Sequence, residues 1–204
     1  AIIWGTAFVS QKLGMNYIEP FTFGASRFLL GALTLIPVIL LFDKINSKKN
    51  DSEKSINTSF NNKDLIVGGI LCGCALFLGA SFQQFGIVHT TAGKAGFITA
   101  LYMVLVPIIG IFMGKKTDLY TWIGVVIAVI GLYLLSIKEG FSIGKGDAIV
   151  LMGTIFWAVH IITVDRFVSK VDGVKLSCIQ FLTAGTLSLI ASFIAEEPRI
   201  SEII

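Results

Sequence analysis

Long runs without a charged residue alternate with short charged stretches along the whole chain. A run of about twenty apolar residues can cross the hydrocarbon core of a bilayer as a helix. The pattern predicts seven membrane-spanning helices. This number includes a shorter first run at Ala1–Gly14, and it takes the second run back through Arg27 to Phe21. The runs after the first are Phe28–Phe42, Leu65–Val88, Ala95–Gly114, Leu119–Ile137, Ala148–Val164 and Leu176–Ala195.

The first run lacks an initial methionine and a charged leader segment, so we interpret it as a truncated helix rather than a signal peptide. None of the runs shows the alternation of polar and apolar residues that is typical of barrel strands. The composition agrees, since 54% of the residues are hydrophobic, 14% are charged and the mean hydropathy is +0.83. We therefore predict an all-α membrane protein, a polytopic helical bundle surrounded by membrane lipid.

Small residues recur four positions apart, a spacing that lets helix backbones approach closely in lipid. The pairs are Gly69 with Gly73, Ala92 with Gly96, and Gly110 with Gly114. Glycine is common in membrane helices, so we expect only part of these pairs to mark helix contacts.

The distribution of lysine and arginine predicts the orientation in the membrane. The one extended polar stretch, Asp43–Asp64, is interpreted as a solvated loop. If this loop is cytoplasmic, its side of the membrane holds ten cations, five of them in the loop itself, and the opposite side holds four, Lys94, Lys138, Lys145 and Arg199. The five outside the loop are Lys115, Lys116, Arg166, Lys170 and Lys175. The positive-inside rule then predicts a cytoplasmic N-terminus.

An offset of 153 residues aligns two parts of the chain without a gap. It places "WGTAFVSQK", which begins at Trp4, over "WAVHIITVD", which begins at Trp157, and "RFLLGALTL" over "QFLTAGTLS". Five predicted helices separate the two starts, so the second copy must enter the membrane in the opposite direction. Such inverted repeats are typical of secondary transporters. We predict a first repeat at residues 1–145 and the start of a second at 146–204.

Several segments together resemble the EamA-type branch of the drug/metabolite transporter superfamily. They are "WG" in the first run, "EPFTFGASRF" before the second, "TTAGKAGFITALYMVLVP" in the fourth and "WIGVVIAVIGLYLL" in the fifth. The resemblance implies ten helices in two inverted five-helix repeats, of which seven are present here. It also implies a bacterial inner-membrane location and transport, often export, of amino acids and other small metabolites.

This sequence departs from the family pattern at two places. Many members carry an acidic residue just after the fourth helix, where this chain has Lys115 and Lys116. The second repeat has Gln180 where the first has Arg27, so a function of Arg27 is not duplicated.

Candidate binding residues lie on the first and sixth predicted helices. Trp4 and Gln11 are seven positions apart and share one helix face. Trp157 is equivalent to Trp4 by the repeat, and His160 follows one turn later. These residues predict a cavity with apolar walls and few polar groups, as small-molecule sites have. The alternative is that both tryptophans only pack between helices or lie at the membrane interface.

Three cations, Lys12, Arg27 and Lys94, fall in the predicted outer half of the membrane, where they oppose the positive-inside trend. Charges inside the membrane are functional candidates. One interpretation is a basic vestibule, with Lys94 at its mouth, that attracts acidic or zwitterionic solutes; the alternative is snorkelling toward lipid phosphates. Gln83 and Gln84 interrupt the third run and either contact solute or join helices.

Other chemistry is not indicated by the sequence. The predicted helix cores, apart from His160, offer no group for proton coupling near neutral pH. Cys72, Cys74 and Cys178 lack metal-ligand spacing, and no phosphate-binding or nucleophile motif is present. We expect no metal, no cofactor, no catalytic residue and no nucleic-acid partner.

We therefore predict a transporter of small organic metabolites that works by alternating access in the direction of export, and not an enzyme. The predicted solute-binding residues are Trp4, Gln11, Arg27, Gln84, Lys94, Trp157 and His160. Two alternatives remain open at this stage, a membrane-embedded enzyme acting on lipid and a membrane subunit without transport activity.

Overall fold

A computed structural model describes residues 2–50, 61–114, 117–138 and 144–196, and these residues form helices joined by short connections. Predicted runs and observed helices agree in number and order, with one predicted helix divided in two. The helices are α1 Ile2–Gly14, α2 Pro20–Asn50, α3 Asn62–Val88, α4 Ala92–Ala100, α5 Tyr102–Phe112, α6 Leu119–Lys138, α7 Lys145–Val168 and α8 Gly173–Ala195.

Five helical segments in the described part of the chain are long and apolar enough to cross a membrane. The predicted polytopic helical bundle is therefore confirmed, and the chain is an integral, multi-pass membrane protein. The segments are Pro20–Ile45, Asn62–Val88, Ala92–Phe112, Lys145–Val168 and Gly173–Ala195. A shorter apolar helical segment lies at Leu119–Gly131.

The helices extend into charged sequence where the prediction ended them. α2 continues through Asp43 to Asn50, so the first part of the predicted polar loop is helical, while residues 51–60 lie outside the described residues. α7 begins at Lys145 rather than Ala148 and includes Asp147 in its first turn. Helix hydrogen bonding continues into water once the apolar turns are formed, so a charge does not by itself end a helix.

The fourth predicted span divides into α4 and α5 at Leu101. Proline is the residue expected to kink a helix, and Pro107 lies inside α5. The interruption is six residues earlier, where the Leu101 amide bonds to the Ile98 and Thr99 carbonyls in a tightened turn.

α3 is the central helix, and it packs against α7 and α8, while α2 packs mainly against α8. The Gly69 and Gly73 pair makes the α3–α8 contact possible, because a Cβ added to Gly73 would lie 2.9 Å from the Gln180 carbonyl oxygen. The predicted contact of this pair is confirmed. Gly114 marks no such contact, as expected for part of the pairs, since no described atom lies within 4 Å of its added Cβ and its φ of 77° ends the helix instead.

Gly73→Ala is expected to destabilise the bundle by about 1–3 kcal/mol, because the new methyl group meets backbone that cannot rotate away. The thermal midpoint in detergent should fall by roughly 5 °C. Gly124→Ala on α6 is the matched control, since no described atom lies within 4 Å of that position. Equal midpoints for the two variants would contradict close α3–α8 packing.

α2 and α8 are joined near both ends. The Glu196 carboxylate accepts hydrogen bonds from the backbone amides of Phe21 (2.6 Å) and Thr22 (2.9 Å), at the N-terminus of α2. At the other end Lys175 Nζ lies 2.9 Å from Asp43 Oδ1. These contacts hold α2 against α8, leaving α1, α4 and α5 to pack on the other helices. The division into repeats at residue 145 stays a prediction.

Candidate functional site

Buried polar side chains follow the contact between α3 and α7, which run antiparallel. A Cβ added to Gly153 of α7 would lie 3.3 Å from the Gln83 backbone nitrogen of α3. Trp157, four residues after Gly153 on α7, packs against Gly79, which is four residues before Gln83 on α3. Going forward along α7 therefore means going backward along α3. The buried polar side chains on these two helices, and those of neighbouring helices that contact them, therefore lie at successive levels along the bundle. We call this row of buried polar side chains the polar file.

The first level of the polar file consists of glutamines. Gln83 Nε2 donates to Gln11 Oε1 at 3.0 Å, and both residues are buried. Gln84 is only 1% exposed, and its Nε2 lies 3.9 Å from the Met15 sulfur. The Oε1 atoms of Gln83 and Gln84 have no hydrogen-bond partner among the described residues. Two buried acceptors are thus left unsatisfied.

Threonines from α4 and α7 lie at the adjoining level. The Thr154 hydroxyl lies 3.0 Å from both the Ile98 and Val150 carbonyl oxygens, so it connects α7 to α4. Thr99 is 2% exposed, and its hydroxyl has no partner among the described residues. α4 therefore contributes a buried polar group to the same file.

Trp157, His160 and Gln180 form the deepest level. The Trp157 and His160 rings meet edge to face with centroids 5.8 Å apart. His160 Nε2 lies 2.9 Å from Gln180 Oε1 on α8. Trp157 Nε1 and His160 Nδ1 are buried and have no partner among the described residues. An apolar cluster packs against Trp157 at this level, and its buried members are Phe28, Leu76, Ala80 and Ala184.

A charged cluster lies at the end of the bundle where α3 meets α4. Asp147 is 5% exposed and accepts hydrogen bonds from the Thr90 hydroxyl and, at 2.8 Å, from the Gly144 amide. Lys94 Nζ lies 3.9 Å from Asp147 Oδ2. Lys12 Nζ donates to the Ile87 (2.7 Å) and Val88 (2.9 Å) carbonyls, which end α3.

An open cleft of about 630 Å³ lies over this cluster. Lys12 and Lys94 share its wall with Asp147, so the cleft carries both signs of charge. The cleft adjoins the glutamine level, since Lys12 in its wall directly follows Gln11 on α1. The remaining lining residues are Val88, His89, Thr90, Thr91, Ala92 and Gly144.

The structure brings some of the predicted site residues together and separates others. Gln11 and Gln84 lie at the glutamine level, Trp157 and His160 lie in contact, and Lys94 lines the cleft. Arg27 does not line that cleft. Its guanidinium lies over the rings of Phe23 (5.6 Å) and Phe28 (4.6 Å), and its Nε has no partner among the described residues. The Trp4 side chain lies outside the described residues.

The sequence prediction missed Asp147 and the partner of His160. It placed no carboxylate in the helix cores because it began the sixth run at Ala148, directly after Asp147, whereas the helix begins at Lys145. A glycine at 144 followed three residues later by aspartate is a helix-start pattern that could have found Asp147. Gln180 was noted only as the counterpart of Arg27. In the described part of the chain no group of His, Cys, Asp and Glu could hold a metal ion.

Lys12→Met is expected to lower the thermal midpoint by about 2–4 °C, because the α3 carbonyls lose roughly 1 kcal/mol of partly exposed, charge-assisted hydrogen bonding. Lys145→Met is the control, since Lys145 is exposed at the same end of the bundle and does not line the cleft. A shift no larger than that of the control would show that Lys12 does not stabilise the end of α3.

Comparisons with known proteins identify transporters. Residues 1–137 match the EamA-like transporter family. An uncharacterized transporter of Archaeoglobus fulgidus is 33% identical over 168 residues, covering 82% of this chain and 47% of the relative. The uncharacterized transporter YoaV of Bacillus subtilis is 24% identical over 200 residues, covering 96% and 64%. The uncharacterized inner membrane transporter YedA of Escherichia coli is 26% identical over 199 residues, covering 96% and 60%.

The chain thus spans about half to two thirds of the length of these curated relatives. Their names state transport without naming a solute. No solved structure matches the chain at a significant level.

Proposed function

Because the chain belongs to the EamA-like transporter family, we propose that the protein carries a small organic solute across the membrane by alternating access. The direction we propose is export of amino-acid-like or other small metabolites, in keeping with the family resemblance. The location we propose is a bacterial inner membrane, with the N-terminus in the cytoplasm. YedA, a relative, is named an inner membrane transporter.

The observation that carries this proposal is the set of unsatisfied atoms in the polar file. Gln84 Oε1, Thr99 Oγ1, Trp157 Nε1 and His160 Nδ1 lie on three helices, buried and without partners among the described residues. A buried polar group without a hydrogen bond costs roughly 1–3 kcal/mol. Such a cost is expected where the missing partner is a solute that binds and leaves.

Each predicted site residue has a proposed place on the solute path. Gln11 and Gln84 form the polar wall of the glutamine level, and Trp157 with His160 forms the deepest level. Lys94, opposite Asp147, lies at the entrance. The two charges suit a zwitterionic solute better than a purely anionic one.

Arg27 and Trp4 are proposed for the path on weaker grounds. Arg27 is a partly buried cation on α2 whose guanidinium lies over Phe28, a member of the apolar cluster that packs against Trp157. It would attract a solute carboxylate. Trp4 is proposed only as the repeat counterpart of Trp157.

Counterflow in proteoliposomes tests the proposal. The full-length protein is reconstituted, loaded with unlabelled solute and supplied with labelled anionic, zwitterionic, neutral or cationic metabolites. We expect concentrative uptake of a zwitterionic or neutral polar solute, and Arg27→Gln should weaken uptake of solutes that carry a carboxylate. Absence of counterflow across the panel, from protein shown to be folded, would contradict transport and favour a lipid enzyme or a subunit.

A further inference from the structure

One ring nitrogen of His160 contacts the side chain of Gln180. A neutral imidazole has one nitrogen that donates and one that accepts, and Gln180 Oε1 can only accept. At 2.9 Å from Oε1, His160 Nε2 therefore carries the proton. The other ring nitrogen, Nδ1, is then an acceptor, and it is buried without a partner among the described residues.

Trp157 presents the complementary group. An indole Nε1–H can only donate, and that of Trp157 is buried without a partner among the described residues. Trp157 and His160 are three residues apart, so they share one face of α7, and their rings touch. One unsatisfied donor and one unsatisfied acceptor therefore belong to two rings in contact.

The chemistry of this pair restricts what can satisfy it. A carboxylate only accepts and would leave His160 Nδ1 unpartnered. An ammonium group only donates and would leave Trp157 Nε1 unpartnered. A hydroxyl or a carboxamide does both and is uncharged, which suits the surrounding Phe28, Leu76 and Ala184.

We propose that Trp157 and His160 recognise a neutral hydroxyl or carboxamide group of the solute, and that Gln180 is a positioning residue that fixes the tautomer of His160. This inference rests on the transport function proposed above and names the part of the solute that reaches the deepest level. Any charged groups of the solute then face the glutamine level or Arg27.

Solutes of nearly equal shape test the recognition. Labelled asparagine is compared with aspartate and leucine, and threonine with valine, in counterflow with the full-length protein. We expect asparagine and threonine to be taken up about tenfold better than their partners, since one hydrogen bond corresponds to roughly that factor. Equal or better uptake of aspartate, leucine or valine would overturn the proposal.

Two variants each remove one of the two unsatisfied hydrogen-bonding groups of the pair. Trp157→Phe removes the indole donor, and His160→Gln keeps a group at the Nε2 position while removing Nδ1. Each should reduce the preference for asparagine over leucine about tenfold. Trp122→Phe on α6 is the matched control and should retain it. Retention of the preference in Trp157→Phe or in His160→Gln would contradict recognition by this pair.

The tautomer can be measured without transport. Nitrogen-15 NMR of histidine-labelled protein should show His160 protonated at Nε2 and unprotonated at Nδ1, and the signals that disappear in His160→Gln are assigned to this residue. Gln180→Met should abolish this single tautomer while the protein stays folded. A protonated Nδ1, or a tautomer unchanged in Gln180→Met, would overturn the role of Gln180.

The two measurements also separate the two proposals. The expected tautomer without counterflow of any solute would contradict transport while leaving the geometry intact. Counterflow with no preference within the matched solutes would support transport and overturn the recognition of a neutral group.

Discussion

Asp147→Leu is expected to destabilise the protein by about 2–4 kcal/mol and to abolish transport. The substitution removes the acceptor of the Thr90 hydroxyl and of the Gly144 amide, and it leaves Lys94 without its nearby carboxylate. Hydrogen bonds to a charged group contribute about 1.5–3 kcal/mol each, and removing one member of a buried pair costs more than the pair contributes. Thermal unfolding in detergent and counterflow in liposomes measure the two effects.

Asp147→Asn distinguishes charge from hydrogen bonding at the same position. The amide can still accept from Thr90 but cannot accept from both Thr90 and Gly144, so the midpoint should lie between those of the wild type and Asp147→Leu. Asp118→Asn, at an exposed position directly before α6, is the control and should change little, since aspartate and asparagine are equally good at the start of a helix. A wild-type midpoint in both Asp147 variants would show that this cluster does not hold α7 against α4.

Gln84→Met is expected to raise stability while reducing transport at least about tenfold. The amide of Gln84 is almost fully buried, and its oxygen has no partner among the described residues. Replacing an unsatisfied polar group with an apolar one of similar length removes a cost of about 1 kcal/mol, which raises the midpoint by roughly 2–4 °C. The same change removes a group that we place on the solute path.

The adjacent glutamine provides the matched control. Gln83 donates to Gln11, so Gln83→Met leaves Gln11 buried without this partner and should lower the midpoint. Neighbouring residues on one helix thus give opposite shifts in stability. A lower midpoint in Gln84→Met, or full transport by this variant, would contradict its place on the solute path.

The sequence predicted the spans because uncharged length is a local property. It did not predict their ends, since α2 and α7 continue through Asp43 and Asp147 once their apolar turns are formed. The close contact at Gly73 followed from small-residue spacing, whereas Gly114, with the same spacing, ends a helix. Spacing alone cannot show whether another helix lies opposite.

Part of the candidate site was predictable in the same way. Trp157 and His160 are one turn apart on a single helix, so their contact follows from local geometry. Gln180 is on α8 and Gln11 on α1, so their pairing with His160 and Gln83 depends on how helices distant in sequence pack. Arg27, grouped by depth with Lys12 and Lys94, lies on α2, which packs mainly against α8. Depth in the membrane does not fix the side of the bundle.

The polar file as the solute path is tested most directly by a structure of the full-length protein with its transported solute bound. We predict solute between α3 and α7, with polar atoms within about 3.2 Å of Gln84 Oε1 and Trp157 Nε1. Solute bound elsewhere, with both of these atoms still unpartnered, would contradict the proposed path.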